Sequence, residues 1–201
     1  MNDRDKIFSA IRSALEPLPE RTAYPEWDSD VTISNFARNE AATTELFRKQ
    51  LEAAHGVFLD RWEAVADFLK KQEATRGYLD EALLPLSGEA LDDFQIVSNV
   101  DREQIDDLSF GVSMASGGIA ESGTVILRDA DSPHRLAALA PWIHIAVLRK
   151  EDLYRTVADA VADFGTDPSI VFATGPSKTA DIEGILIEGV HGPGVQGVLL
   201  V

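Results

Sequence analysis

The chain has 201 residues, and 34 acidic against 18 basic side chains give it a formal net charge of −16. This length predicts one domain with a small extension, and the negative charge disfavours nucleic-acid binding, which needs cations to replace the counterions of the phosphates. Because the chain has no cysteine, disulfides and thiolate-ligated zinc or iron–sulfur clusters are excluded. The charged N-terminus and the shortness of every apolar stretch predict a cytoplasmic protein without membrane insertion.

The N-terminal region has the pattern of a helical extension. Asp3 is predicted to cap a first helix, which ends before Pro17. Residues 17–33 are rich in proline and have few periodic apolar positions, so we predict an extended arm. Asn35 is predicted to cap a second helix that reaches about Ala54.

Beyond residue 55, short apolar runs alternate with amphipathic segments. We predict strands at 56–59, 78–79, 94–97, 110–115, 125–127, 143–148, 169–173 and 198–201. We predict helices at 61–69, 101–108, 151–164 and 177–187. This alternation predicts an α/β fold with a mainly parallel sheet covered on both faces. The chain would divide into a helical extension at 1–55 and an α/β domain at 56–201.

The segment after the strand predicted at 169–173 is the first candidate site. Gly175 allows the backbone to turn, Ser177 suits the start of a helix, and Lys178 adds a positive charge beside the free N–H groups expected there. This combination indicates a loop that binds an anionic small molecule. Its candidate ligand-binding residues are Gly175, Ser177, Lys178, Thr179 and Asp181. The alternative is an ordinary helix start with a serine cap.

Two further glycine-rich segments supply candidates. In residues 117–124, Gly118 and Thr124 are candidate ligand-binding residues, and Glu121 is suited to act as a base, nucleophile or hydrogen-bond acceptor. The alternative there is a tight turn with an exposed glutamate. His191, which lies between glycines, is a candidate proton donor or a structural residue of its turn.

The other histidines carry no site. His144 lies in an apolar run and is predicted to be a core residue. The four histidines of the chain are scattered, so the sequence predicts no metal site.

Taken together, these segments resemble the LUD-domain family, in its lactate utilisation protein C branch. The resemblance covers about residues 85–201 and rests on Gly118-Ile119-Ala120-Glu121-Ser122-Gly123-Thr124, Pro141-Trp142-Ile143-His144, Thr174-Gly175-Pro176-Ser177-Lys178-Thr179-Ala180-Asp181-Ile182-Glu183 and Gly189-Val190-His191-Gly192-Pro193. Three positions depart from the family pattern: Ser122 stands where threonine is common, Ala140 where leucine is more usual, and Gly194 where a basic residue is common. The resemblance implies a Rossmann-like three-layer α/β/α fold of the NagB/RpiA/CoA transferase-like type.

The same resemblance implies a role in the oxidation of L-lactate to pyruvate, beside iron–sulfur partner subunits. Without cysteine, this chain would carry no cluster and no cofactor of its own, and would contribute binding, positioning or assembly. Coenzyme A transferases use a glutamate nucleophile, which keeps Glu121 as a candidate catalytic residue. His191 is kept as a second candidate, as a proton donor from its glycine-rich loop.

Two alternatives stay open. The chain could be a stand-alone enzyme for a phosphorylated or carboxylate substrate, resembling sugar-phosphate isomerases or coenzyme A transferases. It could instead be a non-catalytic interaction module, whose arm docks a partner through Tyr24 and Trp27.

Overall fold

The computed structural model describes residues 2–16, 42–100, 102–129, 135–164, 169–180 and 185–201. The chain divides into two compact units, Met1–Thr32 and Ile33–Val201. The predicted arm at 17–33 and the predicted helix start at Asn35 lie outside the described residues. The predicted boundary at residue 55 therefore stays a prediction.

The described part of the first unit is helix α1 (Asp3–Leu15). Its N-cap is Asn2, whose side chain accepts a hydrogen bond from the backbone N–H of Asp5 at 2.9 Å. The prediction of Asp3 as the cap is therefore wrong by one residue, since Asn2 reaches the free N–H first. Asp3 lies in the first turn, where its charge still favours the helix dipole.

The elements of the second unit are as follows, within the described residues. The helices are α2 (Thr43–Ala53), α3 (Trp62–Lys71), α4 (Leu84–Ser87), α5 (Arg135–Leu139) and α6 (Val157–Asp163). The strands are β1 (Val57–Leu59), β2 (Arg76–Leu79), β3 (Gln95–Val97), β4 (Phe110–Met114), β5 (Gly117–Ile119), β6 (Thr124–Arg128), β7 (Ile143–Leu148), β8 (Leu153–Tyr154), β9 (Ile170–Ala173), β10 (Lys178–Ala180), β11 (Leu186–Glu188) and β12 (Val195–Leu200).

A six-stranded sheet in the order β1-β12-β7-β4-β2-β3 forms the centre of this unit, and all of its neighbouring strands are parallel. Every residue of β7 is buried, as expected for a strand of a parallel sheet that is covered on both faces. The mainly parallel α/β architecture predicted from the sequence is confirmed.

Helices cover the two faces of the central sheet. On one face, Val65 and Leu69 of α3 pack in a cluster that contains Ile145 of β7. On the other face, α2 contributes Phe47 and Leu51 to a second cluster, with β7 and β12 residues. Side chains alternate along a strand, so neighbouring residues of β7 serve opposite clusters.

A smaller mixed sheet in the order β8-β5-β6-β9 was not expected from the sequence. Val125 packs in the cluster that contains α2, while Ile126 packs on the other side with Phe164. The predicted loop at 117–124 is therefore partly strand β5. A side-chain carbon at Gly118 would lie 2.6 Å from Leu148 Cδ2, so this glycine lets the two sheets approach closely.

Two predicted helices are corrected by the structure. Within the helix predicted at 177–187, the described residues are extended, because Lys178–Ala180 of β10 pairs antiparallel with Leu186–Glu188 of β11. The β-branched side chains of Thr179 and Ile187 lie opposite each other there and favour the extended backbone. Of the helix predicted at 151–164, only Val157–Asp163 is α-helical, since Leu153–Tyr154 pairs with β5 instead.

No helix within the described ranges combines the length and the apolar character that crossing a membrane requires.

Candidate functional site

The candidate site is a pocket of about 320 Å³ at the amino end of β12, a volume suited to a small-molecule ligand. Three parts of the chain enclose it: the end of α5, the strand β9 with the loop that follows it, and the loop that leads into β12. The lining residues are Leu139, Val171, Phe172, Ala173, Thr174, Gly175, Pro176, Ser177, His191, Gly192, Pro193 and Gln196.

Backbone contacts fix the two loops of the pocket to each other. The N–H of Ser177 donates to Pro193 O at 2.9 Å, and Ser177 O accepts from the N–H of Gly189 at 2.8 Å. Gly175 has φ +70°, and a side-chain carbon there would overlap Ala54 O at the end of α2. Only glycine fits this position, so the loop sits against α2 by close backbone approach.

The structure brings three of the predicted site residues into this pocket: Gly175, Ser177 and His191. Thr124 does not line it but is linked to it, because its hydroxyl lies 2.7 Å from the hydroxyl of the lining residue Thr174. Asp181 lies outside the described residues.

Lys178 does not line the pocket. Its ammonium donates to Ala54 O at 3.3 Å, at the carbonyl end of α2, where a positive charge is favourable. It also lies 3.5 Å from Glu188 Oε1. A hydrogen bond from His55, together with the positive charge of Lys178, lowers the pKa of Glu188 below its ordinary value.

These contacts give Lys178 two partners within the protein, and its role in anion binding stays a prediction. The expected helix start is absent because Lys178 and Thr179 belong to strand β10. The ammonium of Lys178 contacts Ala54 at the end of α2 and, within the hairpin, its strand partner Glu188.

Glu121 also lies apart from the pocket lining. Its Oε1 accepts a hydrogen bond of 2.6 Å from the backbone N–H of Val157, the first residue of α6. A carboxylate at this position satisfies a free N–H and complements the helix dipole. The contact supports the turn interpretation of residues 117–124, with the glutamate fastening the turn to α6.

Replacing Glu121 by alanine is expected to lower the free energy of unfolding by about 1 kcal/mol, because α6 loses an acceptor at its N-terminus. Glu121→Gln keeps the oxygen but loses the charge and should cost about half as much. Urea unfolding of both variants measures this, with Glu151→Ala, an exposed acid, as the control. Equal stability of Glu121→Ala and the wild type would contradict the role of Glu121 in stabilising the start of α6.

Sequence reasoning missed Gln196 as a pocket residue. It lies in β12, is 2% exposed and lines the pocket. Its Oε1 is 3.0 Å from His144 Nδ1, and His144 Nε2 is 2.9 Å from Ser113 Oγ. A polar residue inside the apolar run of β12, at the position beside His144 in β7, was the available signal.

His144 is fully buried, so its prediction as a core residue is confirmed. Desolvation lowers the pKa of its imidazole from 6.5 to about 4, and the hydrogen bond to Gln196 only partly opposes this shift. The imidazole is therefore neutral near pH 7. Over the described ranges, no three side chains of the metal-binding types come together.

The family model and the curated relatives point to the same family. The family model described as the LUD domain matches residues 31–201. The chain is 31% identical to lactate utilization protein C of Oceanobacillus iheyensis, over 96% of this chain and 95% of that one. It is 27% identical to the protein of the same name from Halalkalibacterium halodurans, over 96% and 91%.

A solved structure supports the fold. The crystal structure of a DUF162 family protein from Deinococcus radiodurans superimposes with a TM-score of 0.57, at 19% sequence identity. The match covers 80% of this chain and 99% of that chain.

Proposed function

The chain belongs to the LUD-domain family, and we propose that it serves lactate utilisation as a subunit of a system that oxidises L-lactate to pyruvate. The observation that carries this proposal is the match to two lactate utilization C proteins over nearly their whole lengths. The LUD-domain match over residues 31–201 includes the elements that form the pocket, from α5 to β12.

The absence of cysteine decides which role we propose for this chain and which for its partner subunits. Oxidising lactate removes two electrons and two protons, and an iron–sulfur cluster needs cysteine thiolates in the usual case. This chain has no cysteine. We therefore assign the electron transfer to iron–sulfur partner subunits and assign ligand binding and positioning to this chain.

Growth of the organism that encodes this chain tests the proposal. A strain that lacks the gene, in a background without other lactate dehydrogenases, should grow on glucose but not on L-lactate, and the intact gene should restore growth. Affinity purification of the tagged protein from lactate-grown cells should recover cysteine-rich partners. Undiminished growth on lactate in that background would contradict the role.

The pocket favours one second candidate, a stand-alone enzyme acting on a small carboxylate. Ser177 and His191 supply a hydroxyl and an imidazole to the lining. A phosphorylated substrate has less support, because Lys178 contacts α2 and Glu188 and does not line the pocket. Thermal-shift screening separates these substrate classes. Stabilisation by short carboxylates would support a carboxylate ligand, whereas stabilisation only by sugar phosphates or acyl-coenzyme A would favour the isomerase or transferase alternative.

A further inference from the structure

The hydrogen bonds around Gln196 have only one consistent direction. Gln196 Nε2 lies 3.1 Å from Gly197 O, and a carbonyl can only accept, so the atom facing it must be the amide nitrogen. The amide oxygen therefore faces His144 Nδ1, and that nitrogen must carry the hydrogen. In a neutral imidazole the other nitrogen is then bare, so Ser113 donates its hydroxyl hydrogen to His144 Nε2.

These hydrogen bonds hold the side-chain amide of Gln196 in one orientation. All three side chains are nearly or fully buried, and they come from the adjacent strands β4, β7 and β12. A buried amide held at its oxygen and at one hydrogen retains a second N–H, which is free to serve a ligand. Because Gln196 lines the pocket, that hydrogen is a preorganised donor.

The rest of the lining narrows the class of ligand. Ser177, Thr174 and His191 add polar groups that donate hydrogen bonds. Among the lining residues that fall within the described ranges, none is Asp or Glu. Residues such as Leu139 and Phe172 give the remainder an apolar wall. Hydrogen-bond donors beside an apolar wall, with no carboxylate among the described lining residues, suit a small anion that has a short carbon skeleton.

We propose that this pocket binds a short-chain monocarboxylate, with an oxygen of the ligand accepting a hydrogen bond from the side-chain amide of Gln196, and that Ser113 and His144 are positioning residues for that amide. The choice of carboxylate rests on the proposed function, whereas the direction of the hydrogen bonds from Ser113 through His144 to Gln196 rests on their geometry and on the neutral state of the buried imidazole.

NMR spectroscopy of the full ¹⁵N-labelled chain tests the proposal. The imidazole nitrogen shifts should show His144 protonated at Nδ1 and bare at Nε2. Titration with sodium L-lactate, pyruvate and propionate should shift the Gln196 side-chain signals saturably, whereas sodium chloride should not. Gln196→Leu should weaken binding about tenfold or more, because a hydrogen bond to a charged group is lost.

A matched control and a second variant keep the test decisive. Gln95→Leu, at an exposed position of β3, should bind as the wild type does. His144→Leu should weaken binding while Gln196 itself is intact, as expected for a positioning residue. His144 protonated at Nε2, no saturable binding of any of the three acids, or equal binding by Gln196→Leu would each overturn the proposal.

The outcomes also separate this inference from the proposed function. If the gene is required for growth on lactate but no acid binds, the pocket assignment alone fails. If the acids bind but the deletion strain grows normally on lactate, the functional role fails and the binding site stands.

Discussion

Replacing Phe47 by alanine is expected to lower the free energy of unfolding by about 3–5 kcal/mol. Its ring is 0% exposed and packs between α2 and the two sheets, in the cluster that contains Ala146 and Val125. Removing the ring loses its burial and leaves a cavity that the close-packed strands cannot fill. Urea unfolding followed by circular dichroism measures the change.

Phe172→Ala is the matched control for this prediction. That side chain is 45% exposed, so the same truncation should cost less than about half as much. A loss below 1 kcal/mol for Phe47→Ala would mean that α2 is not part of the cooperative core.

The same packing bears on the predicted boundary at residue 55. A fragment of residues 56–201 would lose the buried residues Leu46, Phe47 and Leu51 of α2. We expect that fragment to be unfolded or molten, whereas a fragment of residues 33–201 should give dispersed NMR spectra. A well-folded 56–201 fragment would instead mean that α2 belongs to the N-terminal extension and that the α/β domain folds without it.

Acidification is expected to destabilise the protein through His144. Its folded pKa of about 4 lies below the ordinary value of 6.5, so the unfolded chain binds more protons between these values. Stability that is complete above pH 6.5 is therefore lost as the pH falls towards 4. The loss from this residue between pH 7 and pH 5 is about 2 kcal/mol.

A difference measurement isolates this contribution from that of the carboxylates. Wild type and His144→Gln are unfolded in urea at pH 7 and at pH 5, and the carboxylates affect both proteins alike. The wild type should lose about 2 kcal/mol more than the variant over this interval. Equal losses, or an NMR titration in which His144 is protonated above pH 6, would contradict the assignment of a neutral buried imidazole.

The central strands could be predicted because burial on both faces leaves a direct trace in the sequence. Apart from His144, residues 143–148 form an uninterrupted apolar run, and strand β7 has the same bounds. The 177–187 segment gave a wrong prediction because its apolar residues suit either a helix or a hairpin. The choice depends on the pairing of Lys178 with Glu188, which local periodicity does not specify.

Residue type in the loops was enough to select Gly175 and His191 as candidates, and the structure places both in the pocket lining. The site was not predictable where a role depends on distant partners. The contact of Lys178 with Ala54, 124 positions away, depends on the fold and leaves no trace in the local sequence. Gln196 lay outside the strand predicted at 198–201, and its significance comes from His144 on the neighbouring strand.

Restoring lactate oxidation with the purified protein tests the central claim most directly. Extracts of the deletion strain, supplied with L-lactate and an artificial electron acceptor, are assayed for pyruvate before and after the purified chain is added. The account predicts little pyruvate without the chain, and a saturable recovery when it is added. Full lactate oxidation in the extract without the chain, or no recovery on adding it, would contradict a role for this protein in lactate utilisation.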